Sequence, residues 1–186
     1  MNISGKNAIV TGGGRGLGKA VALALAKEGV NVAVTGRNAE NLKSTAEEIK
    51  ALGVNSAYAV FSIDNESEVK TGIESLAKQL GSVDILINNA GIGDFGSIED
   101  MPSETWEQVI KTNLFGVYYA AKAVYPFLKA NGEGDIVNVA STAGLKGGPN
   151  MSAYAASKAA VVSLSQSMMA EWRKQNIRVI TLTPST

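Results

Sequence analysis

The chain has 186 residues, 45% of them hydrophobic and 18% charged, with 17 basic and 17 acidic side chains that leave a formal net charge of zero. That length supplies one domain with a full core, and the charge balance gives no pull toward nucleic acid or an anionic membrane surface. Cysteine and histidine are both absent, which excludes disulfides, thiol nucleophiles, zinc sites of the usual ligands and any Ser-His-Asp triad, so acid–base chemistry falls to Tyr, Lys, Asp or Glu.

The opening MNISGKNAIVTGGG lacks the charged start, apolar stretch and cleavage site of a secretory signal. Nor does any apolar run approach a membrane span, and the cytoplasm is the expected location. Asn7 to Thr11 (NAIVT) reads as a strand that breaks into GGGRGLG, after which Lys19 to Glu28 is rich in Ala and Leu and reads as a helix. Asn31 to Thr35 is a second strand, ending at Gly36-Arg37-Asn38, and Ala39 to Leu52 a second helix. Ser56 to Phe61 is a third strand, ending near Asp64; Val69, Ile73, Leu76 and Leu80 then fall at helical intervals between Glu66 and Leu80. Asp84 to Ile87 is a fourth strand running into Asn88-Asn89-Ala90-Gly91.

Pro102 and Ser103, with Glu104 to Glu107, suggest a capped helix start, and the helical pattern continues, with a bend near Asn113, to about Ala130. Asp135 to Val139 is a fifth strand, Ala153 to about Gln175 a long helix, and Arg178 to Leu182 a sixth strand before Thr183-Pro184-Ser185-Thr186. Strict alternation of apolar strands and helices calls for an α/β fold: a doubly wound parallel sheet, helices on both faces, strand order 3-2-1-4-5-6. Ligands bind beyond the carboxyl ends of such strands. That rule gathers Gly12 to Gly18, Arg37, Asp64, Asn88 to Gly91 and Ser141 on one edge.

At the first strand–helix junction, Thr11-Gly12-Gly13-Gly14-Arg15-Gly16-Leu17-Gly18 fits T-G-x-x-x-G-x-G, a turn whose amides and helix dipole suit a phosphate. Gly13, Gly18 and Lys19 also satisfy G-x-x-x-x-G-K of a nucleotide triphosphatase loop, but Ala20 stands where Ser or Thr would hold magnesium. Further on, Tyr154 and Lys158 are spaced to share one face of a helix. A phenol keeps its proton near neutral pH, and a neighbouring cation lowers the cost of giving it up. Ser141, at the end of an apolar run, offers a second hydroxyl.

Together, TGGGRGLG (11–18), Asp64, NNAG (88–91), Asn113, Ser141 and Tyr154-x-x-x-Lys158 make the chain resemble the short-chain dehydrogenase/reductase family over its whole length. The wording IVNVAS and YAASKAA is most similar to 3-oxoacyl-acyl-carrier-protein reductases. The resemblance implies a single Rossmann-like dinucleotide-binding domain over 1–186 that reduces a carbonyl, plausibly a 3-oxoacyl thioester, to a secondary alcohol. It implies that Tyr154 donates the proton, Ser141 polarises the oxygen, Lys158 bonds the nicotinamide ribose and assists Tyr154, and Asn113 holds a water linking Lys158 to solvent.

For the cofactor it assigns Thr11, Gly12, Gly14, Arg15, Gly16, Leu17, Gly18, Ala90 and Gly91 to the groove and Asp64 to the adenine amino group. Pro184 falls beside the nicotinamide, with Ser185 where the family has glycine. Asn88 is open between lining the groove and bonding strand backbones. Where an acidic residue after the second strand would select NAD, Gly36-Arg37 stands; Arg37 with Arg15 suits a 2′-phosphate, and NADP(H) is expected.

Loops 92–103 and 142–152, with Phe95, Leu145 and Met151, are candidates to shape the substrate site. Lys122, Lys129, Arg173 and Lys174 are either a solvated face or a greeting surface for an acidic acyl carrier protein. A homo-oligomer, dimer or tetramer, is expected through the helices at 114–130 and 153–175. Family members continue past the sixth strand with a substrate lid, a helix and a seventh strand, so the chain is expected to be either C-terminally truncated, the favoured reading, or a minimal relative with an exposed edge at strand six. A cofactor-binding module without turnover stands as the alternative function.

Overall fold

The structure is a computed structural model and describes residues 3–185. Six parallel strands form one sheet in the order β3-β2-β1-β4-β5-β6. They are β1 (Asn7–Thr11), β2 (Asn31–Gly36), β3 (Ser56–Val60), β4 (Ile85–Asn88), β5 (Gly134–Val139) and β6 (Ile177–Leu182). Between them run α1 (Gly16–Lys27), α2 (Ala39–Ala51), α3 (Glu66–Leu80), α4 (Ser103–Ile110), α5 (Gly116–Asn131) and α6 (Ser152–Trp172). Among the described residues no helix is long and apolar enough to cross a membrane.

Because successive side chains in a strand point to opposite faces, the apolar strands feed two cores. Ala8, Val10, Val32, Val34, Ile85 and Ile87 pack against α1 and α2. Ile9, Ala33, Leu86, Ile136, Ile177 and Val179 pack on the other face against α3, α5 and α6. The central strand β4 is buried along its whole length, as a parallel strand covered on both sides must be. β6 lies at one edge of the sheet, with Ile180 and Leu182 43% and 49% exposed.

Local chemistry sets the helix ends. Asn65 caps α3 by accepting from the Ser67 and Glu68 amides, Glu66 and Glu68 occupy its first turn, and Gly81 ends it in the left-handed conformation at φ 91°. Asn38 caps α2 through the Asn41 amide. Elsewhere the boundaries differ from expectation. α1 begins at Gly16 rather than Lys19, so half of the glycine loop is the first helical turn. Ser103 does not cap α4: Pro102 precedes it, and no side chain caps that end.

The bend near Asn113 is a π-helical turn, Lys111–Phe115, joining α4 to α5. Immediately after it, a side chain on Gly116 would come within 2.8 Å of Ile63, so the helix start packs directly on the loop that follows β3. α6 ends at Trp172 and is followed by a 3₁₀ turn through Gln175.

Two polar arrays lock the sheet. At the amino ends of the strands, the Asn7 amide donates to Asp84 at 2.8 Å, the Asn31 side chain to that of Asn7 at 2.9 Å, and the Asn55 amide to the Asn31 side chain at 2.9 Å. Inside the second core, Asn88 Nδ2 donates to Asn138 Oδ1 at 2.9 Å, Asn138 Nδ2 to Ser165 Oγ at 2.8 Å, and Ser165 Oγ to the Val161 carbonyl at 2.7 Å. In the second array Asn88, Asn138 and Ser165 are buried, and their mutual bonds offset the cost of desolvating them.

Candidate active site

Beyond the carboxyl ends of β1, β2 and β4 the glycine turn is built for close approach. Gly12 and Gly16 adopt φ of 67° and 55°, the left-handed region that only glycine enters without strain. A side chain on Gly18 would lie 2.3 Å from the Gly12 carbonyl oxygen, so the first turn of α1 rests on the turn that precedes it. No side chain caps α1 and no acidic residue stands in its first turn. Its amides are therefore left to a ligand, and the helix dipole favours an anion there. Lys19 points elsewhere: its ammonium pairs with Glu48 of α2 at 2.8 Å, so the nucleotide-triphosphatase reading loses its lysine.

The turn forms one wall of a cleft of about 750 Å³, of a size to hold a cofactor. Gly12, Gly14, Arg15, Gly16, Leu17, Gly18, Arg37, Ala90 and Gly91 line it, as do Phe61, Ser62, Ile63, Asn89 and Thr112. Among the described lining residues there are two arginines, Arg15 and Arg37, and no carboxylate. The glycine cradle, the uncapped helix start and the cationic lining together fit a dinucleotide.

Past Gly91 the cleft meets the acid–base group. A side chain there would sit 3.1 Å from Asn113 Oδ1 and 3.6 Å from Lys158 Nζ. Asn113, fully buried in the π-helical turn, accepts from the Ile92 amide at 2.8 Å and donates to the Ile92 carbonyl at 2.9 Å and to Ser157 Oγ at 3.1 Å. Ser157 Oγ in turn donates to the Tyr154 carbonyl at 2.7 Å. Lys158, only 5% exposed, donates to the Val139 carbonyl at 2.8 Å and lies 5.7 Å from the centre of the Tyr154 ring. Burial pushes its ammonium down to about 8.

Ser141 follows β5 and opens a 3₁₀ turn, its Oγ accepting from the Ala143 amide at 3.1 Å. With that lone pair engaged, its proton is free to donate elsewhere. The Thr142 amide donates to the Pro184 carbonyl at 3.1 Å, so Pro184 lies beside the Ser141 turn. Two loops face each other across the site, joined by a parallel bridge between Gly96 and Met151 and by the Gly96 amide donating to the Asn150 carbonyl at 2.9 Å. Phe95 is 62% exposed with its ring 5.8 Å from that of Tyr154, and Leu145 is 64% exposed.

Thr11, Asn88 and Asp64, assigned to the cofactor, are not among the residues that line the cleft. Thr11, buried, accepts from the Asn89 and Ala90 amides at 3.0 Å and so shapes the wall without lining it. Asn88 donates to the Asn138 side chain and to the Val117 carbonyl of α5. Asp64 receives Ser62 and Gln108 at 2.6 Å each.

Asn89, gathered on the ligand edge within 88–91, was given no role of its own from the sequence, and Ser157 was not picked out. Asn89 lines the cleft and donates to the Thr11 carbonyl at 3.0 Å; the signal was its place next to Asn88, on the opposite face of the strand end. Of the four basic residues on the helices, Lys122 pairs with Glu66 at 2.8 Å and Lys129 lies 5.9 Å from the Tyr125 ring.

Comparison with known proteins matches residues 6–186 to the short chain dehydrogenase family. The chain is similar to gluconate 5-dehydrogenase of Gluconobacter oxydans, 34% identical over 99% of this chain and 72% of that protein. It is also similar to 3-oxoacyl-acyl-carrier-protein reductase of Staphylococcus aureus, 38% identical over 96% of this chain and 73% of that one. Among solved structures, NAD+-bound xylitol dehydrogenase superposes with a TM-score of 0.96 at 35% identity, covering 100% of this chain and 72% of the other. Carveol dehydrogenase of Mycobacterium avium in complex with NAD gives 0.95 at 30% identity, covering 98% and 71%. Sequence, sheet order and glycine turn agree: this chain belongs to the short-chain dehydrogenase family, oxidoreductases acting on CH–OH and carbonyl groups.

Proposed function

We propose that the chain is an NADP(H)-dependent carbonyl reductase, acting on a ketone flanked by apolar groups such as a 3-oxoacyl thioester carried on an acyl carrier protein. The observation that carries this reading is the cleft itself, with Arg15 and Arg37, no carboxylate, and an end at Gly91 against Asn113 and Lys158. An acidic side chain there would accept a ribose hydroxyl and repel a 2′-phosphate; two guanidiniums do the reverse. The exposed Phe95 and Leu145 favour an apolar substrate over a polyol.

When bound, the reduced cofactor supplies hydride to the carbonyl carbon. The Tyr154 hydroxyl gives its proton to the carbonyl oxygen, and the Ser141 hydroxyl donates a hydrogen bond to that oxygen as charge develops on it. Lys158 reaches the nicotinamide ribose and offers a positive charge beside Tyr154. The Asn113 amide oxygen, one of whose acceptor positions is taken by Ile92, keeps the other for a water toward Lys158. Asp64 takes the adenine amino group and Pro184 flanks the nicotinamide.

Incubation with NADPH and a panel of β-keto thioesters, simple ketones and polyhydroxylated ketones, followed by nicotinamide absorbance, tests the proposal. Consumption with the apolar-flanked ketones is expected, and Tyr154→Phe is expected to reduce it by about 10²-fold or more with NADPH affinity retained. Preserved turnover in that variant removes Tyr154 as the acid. Binding without consumption across the panel favours the module without turnover. NADH binding as tight as NADPH overturns the role given to the two arginines.

A further inference from the structure

The opening turns of α6 carry Tyr154, Ser157 and Lys158, and Ser157 is wholly buried. Its single hydroxyl hydrogen goes to the Tyr154 carbonyl at 2.7 Å. Toward Asn113 it can therefore only accept, and it takes Nδ2 at 3.1 Å. The second Nδ2 hydrogen goes to the Ile92 carbonyl at 2.9 Å, and Oδ1 accepts from the Ile92 amide at 2.8 Å. Three bonds thus fix the Asn113 amide, and one acceptor position on Oδ1 is left over. That oxygen and the Lys158 ammonium border the same space, since a side chain on cleft-lining Gly91 would lie 3.1 Å from one and 3.6 Å from the other.

The three bonds tie different things. Both Ile92 groups belong to the loop after β4; they set which end of the amide faces which way, but they do not reach α6. Ser157 supplies the bond to α6, one residue before Lys158 and with its own hydrogen on the Tyr154 carbonyl. We propose that Ser157 is a positioning residue for the reduction: it holds the π-helical turn against the part of α6 that bears Tyr154 and Lys158, and so registers the Asn113 oxygen with the Lys158 ammonium. This rests on the reading above, in which Asn113, Tyr154 and Lys158 carry the proton. Buried and not among the residues that line the cleft, Ser157 acts through Asn113. An asparagine held only by the loop can shift against the helix. A small misplacement in a proton path costs rate, while the contacts of the glycine turn with the cofactor are untouched.

The test measures kcat with the ketone of the panel above that wild type reduces best, and the dissociation constant for NADPH. Ser157→Ala is expected to lower kcat by about tenfold or more and to leave NADPH affinity within about twofold of wild type. Ser157→Thr and Ser157→Val share a shape and differ in the hydroxyl, so crowding by the added methyl cancels between them. The threonine variant is expected to turn over about tenfold faster than the valine one. A double-mutant cycle identifies the route: in the Asn113→Ala background, Ser157→Ala is expected to cost no more than about twofold further, whereas independent effects multiply. Equal rates in the threonine and valine variants, multiplying losses, or kcat and NADPH affinity falling together overturn the inference. The two levels separate at Asn113. If Asn113→Ala lowers kcat while Ser157→Ala does not, the reading stands and the inference falls; if Asn113→Ala keeps the wild-type kcat, or wild type reduces none of the panel, both fall.

Discussion

Lys158 brings an ammonium to a position 5% exposed, with one carbonyl as its protein partner. Burial disfavours the charged form and lowers it from 10.5 to about 8. Below about pH 8 the residue is charged in both folded and unfolded chains, and the folded state bears the full cost, roughly 3 kcal/mol. Between there and the ordinary lysine value the unfolded chain holds a proton that the folded chain has released, so stability rises with pH across that window. Urea midpoints at neutral and alkaline pH are expected to show this rise in wild type and to lose it in Lys158→Met. Turnover is expected to move the other way, falling as pH passes about 8 and the ammonium offered to Tyr154 is lost. The Tyr154–Lys158 pair was legible because helical spacing fixes which side chains share a face. Ser157 was not, because its meaning depends on Asn113, 44 residues earlier, and no local pattern encodes that distance.

Among the elements, the π-helical turn Lys111–Phe115 does most to assemble the site. One extra residue in the turn sets Asn113 against the Ile92 backbone, joining the strand-end loop to α6 through Ser157. Asn113→Ala is expected to leave the Ile92 amide and carbonyl without that partner and to cost about 2–3 kcal/mol in urea unfolding, with a loss of turnover larger than the loss of NADPH affinity. A stability within about 0.5 kcal/mol of wild type would show that the clamp carries little. The bend itself could be read from the sequence as an interruption near Asn113. Its π character could not, since neither Pro nor Gly lies within the turn and the cause is a tertiary hydrogen bond. The Ser103 cap failed for a related reason: Pro102 already sets the entry of α4, so the side chain expected to cap is inside the helix.

For the molecule as a whole, the strand order followed from alternating apolar strands and the handedness of crossovers, and the sheet confirms it. We propose a dimer or tetramer built on α5 and α6, where Tyr118 and Met169 are 43% and 48% exposed and Phe115, ending the π-helical turn before α5, is 41% exposed. Sedimentation is expected to give a species of at least two chains, and a monomer at all concentrations would refute the proposal. Finally, the sheet has unlike rims. At the amino ends Asn7, Asn31, Asn55 and Asp84 bond one another across neighbouring strands; at the carboxyl ends lie the glycine turn, Asn113 and Ser141, to which we assign the ligand. The rims are separated by the length of a buried strand, so a lesion at the first acts on stability alone, whereas one at the second acts on chemistry and, at Asn113, on stability as well. The two kinds of variation can accumulate almost independently, letting one scaffold drift in what it binds without renegotiating how it stands.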